Sequence, residues 1–209
     1  MPLVLTVGLY GIESANLALA NLRVSQVALN LADNASRVGL IGSANIEQLR
    51  EIDMNDVLMA ARNQGASIDL TKNGRITVSS LEMDSEGIQR VHWQRCIGQK
   101  SGVKYDAPAV YATSVTAGTD TTAGNAGTLA PNGMADSEDP TNKVNAPMNG
   151  GVMFVEVNYD YKPIVGFWSL GTTRIHYVAS FIVRDNREFK QIYNPSPVVP
   201  RATCNLYPA

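Results

Sequence analysis

The chain has 209 residues, of which 44% are apolar, and its formal net charge is −2. A chain of this length forms one domain with a sizeable hydrophobic core, or one domain with an extension. The small net charge provides no basic field that would attract nucleic acid, and a mean hydropathy of −0.08 excludes a membrane protein with many spans.

The amino-terminal segment MPLVLTVGLYGIESANLALANL is strongly apolar, and its only charged residue is Glu13. A helix over residues 1–22 would be about 33 Å long, close to the ~30 Å thickness of the hydrocarbon layer of a bilayer. A carboxylate that faces lipid costs at least a few kcal/mol. Two interpretations are open: a helix of a soluble domain, or a membrane-seated helix whose Glu13 makes an assembly contact with another protein.

A single apolar stripe continues beyond this segment at intervals of three or four residues, which is typical of one face of a helix. No glycine or proline interrupts residues 12–38. The sequence therefore predicts one N-terminal helix over residues 1–38, apolar all round in front and amphipathic behind, and a globular head over residues 39–209. The stripe consists of Leu17, Ala20, Val24, Val27, Leu31, Ala35 and Val38.

Strand patterns dominate from about residue 66. The Asn73-Gly74 pair between two β-rich runs predicts a hairpin, and in GIQRVHWQRCIG we expect Val91 and Trp93 to share one face. The runs VMFVEVNYDYKP and TTRIHYVASFIVRD alternate apolar and polar residues, as half-buried antiparallel strands do. We predict an α+β fold in which the long helix packs on an antiparallel sheet, with one or two short helices between them, in ANIEQLRE and MNDVLMAARNQ.

Residues 100–150 lack periodicity and are rich in Thr, Gly, Ala and Asn. This composition predicts a flexible surface loop. The alternative is an exposed recognition loop over residues 113–145, with Asp136, Glu138 and Asp139 as its candidate binding residues. Their spacing does not match the calcium-binding loop of an EF-hand.

The chain contains two cysteines, Cys96 in a predicted strand and Cys204 in the Pro-rich tail YNPSPVVPRATCNLYPA. In an oxidising compartment we expect them to form a disulfide, which would tie the tail to the sheet. His92 and Cys96 are not expected to ligate one zinc ion, because four residues of strand separate their Cα atoms by about 13 Å.

The sequence contains no nucleophile elbow, no glycine-rich phosphate loop after a strand and no Cys/His signature. The two histidines, His92 and His176, each lie on the polar side of a predicted strand. We therefore expect no enzymatic activity, no cofactor and no metal site.

Residues 2–39, PLVLTVGLYGIESANLALANLRVSQVALNLADNASRVG, resemble the TadE-like minor pseudopilins of tight-adherence (type IVc) pili, and VMFVEVNYDYKP resembles a strand of the same family. The resemblance implies a pilin-like fold and an N-terminal helix in the bacterial inner membrane with a periplasmic head. The basic leader and processing site of the family would lie ahead of Met1, and no cleavage site is assigned within this sequence. Glu13 matches the family's second, downstream acidic position.

Two functions are expected from these observations. The first, implied by the resemblance, is a non-enzymatic pseudopilin that is anchored in the membrane through its N-terminal helix and acts in pilus assembly or adhesion. Its partners would be other pilus subunits and the inner-membrane proteins of the assembly platform. The second is a secreted or surface-anchored binding module, in effect an adhesin, that uses the loop over residues 113–145.

Overall fold

The computed structural model describes residues 2–42, 46–106, 124, 126–136, 138–165 and 173–209. Within these ranges the chain begins with helix α1 (Pro2–Arg37), which is 36 residues long. Its proline occupies the first helical turn, where the missing backbone N–H costs no helical hydrogen bond. The helix is continuous through Glu13 and through the change from its front to its rear half.

The elements after α1 are β1 (Leu40–Ile41), β2 (Glu47–Gln48), α2 (Glu51–Gln64), a 3₁₀ turn (Ala66–Ile68), α3 (Leu70–Asn73), β3 (Gly74–Met83), β4 (Gln89–Ile97), β5 (Thr128–Leu129), β6 (Met134–Ala135), β7 (Lys143–Val144), β8 (Gly150–Asp160) and β9 (Arg174–Val183). Five strands form one antiparallel sheet in the order β5-β4-β3-β8-β9. The pairs β1–β2 and β6–β7 form two small antiparallel ladders. The predicted α+β class, with an N-terminal helix and an antiparallel sheet, is confirmed.

The main hydrophobic core lies between the sheet and the helices α1 and α2. The rear half of α1 contributes Val24, Val27 and Leu31 to it, and β8 contributes Val155 and Val157. These apolar side chains recur at helical spacing on α1 and at every second residue on β8, so each element turns one apolar face toward this core. The sheet therefore holds α1 by its rear half.

A β-bulge separates Val91 from Trp93, the two residues that were expected to share a face of β4. In the β3–β4 ladder, Ser79 pairs with Gln94 but Leu81 pairs with Val91, so two residues of β4 oppose one residue of β3. Trp93 consequently joins the main core, whereas Val91 joins a second cluster. The expectation that Val91 and Trp93 lie on one face is wrong because a bulge inverts the alternation.

The prediction of a hairpin at Asn73-Gly74 is also wrong. Residues 70–73 form the short helix α3, and Gly74 starts β3 by pairing with Tyr159 of β8. A Cβ at Gly74 would collide with the carbonyl oxygen of Asn158 on β8 and, at 2.7 Å, with that of Leu70, so the glycine permits a close approach of the backbones of β3 and β8. The β3–β4 turn lies at residues 84–88, where the Asp84 carboxylate accepts the N–H groups of Glu86 and Ile88, both at 2.9 Å.

The predicted disulfide between Cys96 and Cys204 is present. The tail around Cys204 lies beside β4, because the N–H of Cys96 donates to the carbonyl of Ala202 at 2.7 Å and that of Gly98 to Pro208 at 2.8 Å. The buried guanidinium of Arg75 donates to the carbonyls of Gly98 and Leu206 (both 2.8 Å) and of Cys204 (2.7 Å). Covalent and polar contacts together attach the tail to the sheet.

Residues 126–136 and 138–148 form what we call the cover, which begins with the edge strand β5 and continues over the face of the sheet that points away from α1. Its buried Ala130, Met134 and Ala146 pack in a second hydrophobic cluster, which also contains Val152 and Phe154 of β8. The described part of the segment predicted as a flexible loop thus contains β5, β6 and β7. Residues 107–123, 125 and 137, which include the centre of that loop, lie outside the described residues.

Candidate functional site

The front segment of α1, which we define as residues 4–12, extends beyond the head with its apolar side chains in solvent. Val4 is 73% exposed, Leu5 67%, Val7 65% and Ile12 57%. Successive residues of a helix point about 100° apart, so these side chains are distributed around the whole circumference. The segment therefore presents an apolar surface on every side.

The membrane span expected in this part of the chain is not found. Across the residues that the structure describes, no helix is both long enough and apolar enough to cross a lipid bilayer.

Glu13 lies at the point where the front segment meets the head, and its side chain is fully buried. Its carboxylate accepts a short hydrogen bond from the Tyr161 hydroxyl. It also accepts the backbone N–H groups of Ile164 at 3.0 Å and Val165 at 2.8 Å. Asn16, one turn further along α1, donates to the Tyr161 hydroxyl oxygen at 2.6 Å. We call this group of contacts the Glu13 anchor.

The Glu13 anchor favours the ionised carboxylate. Donation by the Tyr161 hydroxyl lowers the pKa of Glu13 below its ordinary value, and the N–H groups of Val165 and Ile164 act in the same direction, against the opposing effect of burial. Burial, and next the bond to the Glu13 carboxylate, raise the pKa of Tyr161 to about 12. The negative charge is thus held by three donors from the segment that follows β8.

The anchor also determines which groups the exposed surface of α1 carries. Glu13 is the only charged residue before Arg23, and its carboxylate points into the head. The exposed surface of α1 over residues 4–22 consequently carries no charge. The assembly contact predicted for Glu13 stays a prediction, and the partners that the single chain shows for this carboxylate belong to its own head.

The three carboxylates predicted to act in a recognition loop lie in the cover. Asp136 contacts Nε2 of His176 at 2.7 Å, and Glu138 forms an ion pair with Arg174, so both face strand β9. Asp139 accepts the N–H of Thr141 at 3.1 Å and its hydroxyl at 2.5 Å, which closes a local turn. Their role in recognition stays a prediction, and residues 113–123, 125 and 137 of the loop lie outside the described residues.

His92 is buried on β4, with Nε2 2.7 Å from a carboxylate oxygen of Glu82. In the described part of the chain, no group of three His, Cys, Asp or Glu side chains is arranged to hold a metal ion.

Sequence reasoning missed Tyr161 as the partner of Glu13, because 148 residues separate them. The signal that was available is the run Tyr161-Lys162-Pro163 at the end of a strong strand. A proline interrupts the ladder of a strand. The backbone N–H groups of the residues after it, here Ile164 and Val165, are then available to donate to a carboxylate.

Comparisons with models of known protein families, with curated protein sequences and with solved structures found no match.

Proposed function

We propose that this protein is a non-enzymatic assembly subunit of the pilin type, which joins neighbouring subunits through the front segment of α1. The observation that carries the proposal is the difference between the two halves of one helix. The rear half is packed on the head, while the front segment is apolar on all sides and exposed. The resemblance of residues 2–39 to TadE-like pseudopilins supports the assembly of tight-adherence pili as the process in which this subunit acts.

The distribution of the exposed side chains argues for several neighbours. A helix that meets one partner needs an apolar stripe of limited width, with polar residues elsewhere. A helix that is apolar all round requires apolar contacts on every side, as in the centre of a bundle. We infer that the front segment packs among the front segments of further copies or of related subunits.

The Glu13 anchor supports the same proposal. It removes the only carboxylate of residues 1–22 from the surface of the helix. On that surface, an apolar contact would strip water from the charge at a cost in free energy. It also ties the helix to the segment after β8, so the front segment leaves the head in one direction. A fixed direction is what a repeated assembly of identical subunits requires.

The proposal places the protein in the bacterial cell envelope, in a surface pilus or associated with the inner membrane with its head in the periplasm. The disulfide supports an oxidising compartment, because the cytosol keeps thiols reduced. Fractionation of native cells should recover the protein with membranes or pili. A freely soluble, secreted product that binds a surface would instead favour the alternative of an adhesin.

The test of assembly uses Val7→Asp in the full chain, with Val103→Asp as the matched control because Val103 is 99% exposed on the head. Burial of one valine contributes about 1.5–3 kcal/mol, so Val7→Asp should weaken self-association at least about tenfold. Sedimentation of wild type and both variants measures it, and Val103→Asp should match wild type. A wild-type chain that stays monomeric, or equal association of all three proteins, would overturn the proposal.

A further inference from the structure

The side of α1 that points away from the head carries a second apolar stripe. Its eight positions follow one another at intervals of three and four residues, and the side chain or backbone at every one of them is exposed. All of them are apolar except one glutamine. We call this row the outer stripe, and it consists of Leu5, Gly8, Ile12, Ala15, Leu19, Leu22, Gln26 and Leu29.

The outer stripe continues over the rear half of α1, whose opposite side is packed on the sheet. Leu19 is 64% exposed, Leu22 54% and Leu29 41%, while Val24 and Leu31 of the same helix are buried in the main core. Single exposed apolar residues are common on protein surfaces, whereas a continuous apolar patch marks a surface that another molecule covers. The rear half of α1 therefore has two apolar sides, and the head covers one of them.

The spacing of the outer stripe is that of a coiled coil. Intervals of three and four residues alternate along it without a break, so its positions recur every 3.5 residues on average. With this repeat, two α-helices that wind around each other stay in contact along their length. The stripe covers about three and a half heptads, or about 36 Å of helix, and a repeat sustained over about three to four heptads indicates a coiled coil. The partner is consequently a helix with the same repeat.

Gly8 suits a close contact with another helix and has no evident role in its own chain. A Cβ at this position would meet no atom from another part of the described chain within 4 Å, so the head does not require a glycine there. A glycine inside a helix lowers the stability of the helix. Small residues such as Gly8 and Ala15 do, however, let the backbones of two helices approach each other closely.

The outer stripe carries no charge. Of the two charged residues within its length, Glu13 is buried in the Glu13 anchor and Arg23 lies beside the stripe. In a parallel pair of helices, Arg23 of one copy lies opposite Ala18 of the other, so the two positive charges do not face each other. The next position of the repeat is Asp33, which pairs with Arg37 at 2.7 Å. The stripe thus ends where the first charge enters the repeat.

Gln26 identifies the partner as a second copy of this chain. A side-chain amide contains both a donor and an acceptor, so two Gln26 side chains that face each other across a parallel pair in register satisfy one another. One polar residue at such a position specifies the register and the number of helices in a coiled coil. In an antiparallel pair with full overlap, Gln26 would instead face Gly8, which has no side chain to bond with.

We propose that two copies of this chain pair through the outer stripe as a parallel, two-stranded coiled coil in which Gln26 faces the partner's Gln26. The two heads then lie on the outer sides of the pair, because each head covers the side of α1 opposite its stripe. The inference rests on the proposed function, since Leu5, Gly8 and Ile12 belong to the front segment. It identifies one of the neighbours of that segment and the direction in which the two helices run.

Cysteine crosslinking of the full chain tests the pair. Both native cysteines are joined in the disulfide, so Leu22→Cys introduces a single free thiol in the middle of the outer stripe. A parallel pair in register places it beside the same thiol of the partner, and mild oxidation should convert most of the protein to a covalent dimer. Asn21→Cys is the matched control, because Asn21 is exposed but lies off the stripe, and it should stay a monomer on a denaturing gel. Equal yields of dimer from both variants, or no dimer from Leu22→Cys, would overturn the proposal.

The variant Leu22→Asp separates this pair from the assembly through the front segment. Leu22 is half exposed in the single chain, so urea unfolding should be unchanged, whereas the pair would lose two buried leucines and should dissociate at least about tenfold more readily in sedimentation. Val7 does not belong to the outer stripe. If Val7→Asp weakened self-association while Leu22→Asp left it unchanged, the proposed function would stand and the pair through the outer stripe would be wrong. A wild-type chain that stays monomeric would contradict both.

Discussion

At the scale of single residues, the environment of Glu13 explains why a carboxylate is tolerated within an apolar helix. The three groups that donate to it, the Tyr161 hydroxyl and the N–H groups of Ile164 and Val165, all come from one segment of the head. A buried carboxylate that accepts several donors keeps its charge without facing an apolar medium. The residue that is least compatible with the composition of α1 is therefore the one that attaches α1 to the head.

The stability of the Glu13 anchor should depend on pH. The folded state lowers the pKa of Glu13, so its contribution is complete above the ordinary glutamate value of about 4.3 and is lost as the pH falls through the lower folded value. We expect the stability difference between wild type and Glu13→Gln to stay constant above about pH 5 and to shrink as the pH falls from there toward 3. Urea unfolding at a series of pH values measures it.

The control for this series is Glu86→Gln, at an exposed position in the β3–β4 turn. Its unfolding should follow that of wild type over the same pH range. A Glu13→Gln curve that stays parallel to wild type at every pH would show that the ionised carboxylate is not what stabilises the anchor.

At the scale of elements, a buried ion pair connects α2 to the sheet. Nε of Arg95 on β4 donates to a carboxylate oxygen of Glu51 at 3.0 Å, and both side chains are fully buried. Arg201 of the tail approaches the same carboxylate, with Nε 3.3 Å from Oε1. One carboxylate at the first position of α2 thus holds the helix, the sheet and the tail together.

Removal of this carboxylate should be costly. Glu51→Ala leaves the Arg95 guanidinium buried without its counter-charge, and loss of one partner from a buried pair costs about 3–5 kcal/mol. Urea unfolding should show this loss, with Asp56→Ala, an exposed carboxylate of the same helix, within about 0.5 kcal/mol of wild type. If both variants had similar stabilities, the pair would have no structural role.

At the scale of the whole molecule, the chain is closed by one covalent link between its centre and its tail. Cys96 and Cys204 are 108 residues apart, and the tail has no helix or strand of its own in the described residues. Its position depends on the disulfide, on Arg75, on the contact of Arg201 with Glu51 and on a few backbone hydrogen bonds to β4. The disulfide reduces the conformational entropy of the unfolded chain, while the other contacts stabilise the folded state.

Reduction of the disulfide should therefore destabilise the whole head. The chain-entropy model gives up to about 4–5 kcal/mol for a closed loop of this size. Unfolding in urea, with and without a thiol reductant, measures the effect, and a Cys96→Ser, Cys204→Ser double variant should be insensitive to the reductant. An unchanged midpoint after complete reduction would show that the link adds nothing to stability.

Patterns that are local in the sequence determined much of the architecture. The stripe from Leu17 to Val38 predicted the N-terminal helix, and the alternation in β8 and β9 predicted antiparallel strands with one apolar face. Periodicity suffices for these elements because each depends on residues only a few positions apart. The cysteine count, with a Pro-rich tail, was enough to predict the disulfide.

Contacts between distant residues were decided only by the tertiary structure. The β-bulge that separates Val91 from Trp93 depends on the register of two strands, and the place of Gly74 depends on the backbone of β8. Tyr161 is 148 residues from its partner Glu13, and His176 is 40 residues from its partner Asp136, so only the packed fold brings these pairs together. A sequence determines where its apolar faces lie, but which polar groups become buried together depends on how those faces pack, because only packing excludes the water that would otherwise satisfy them.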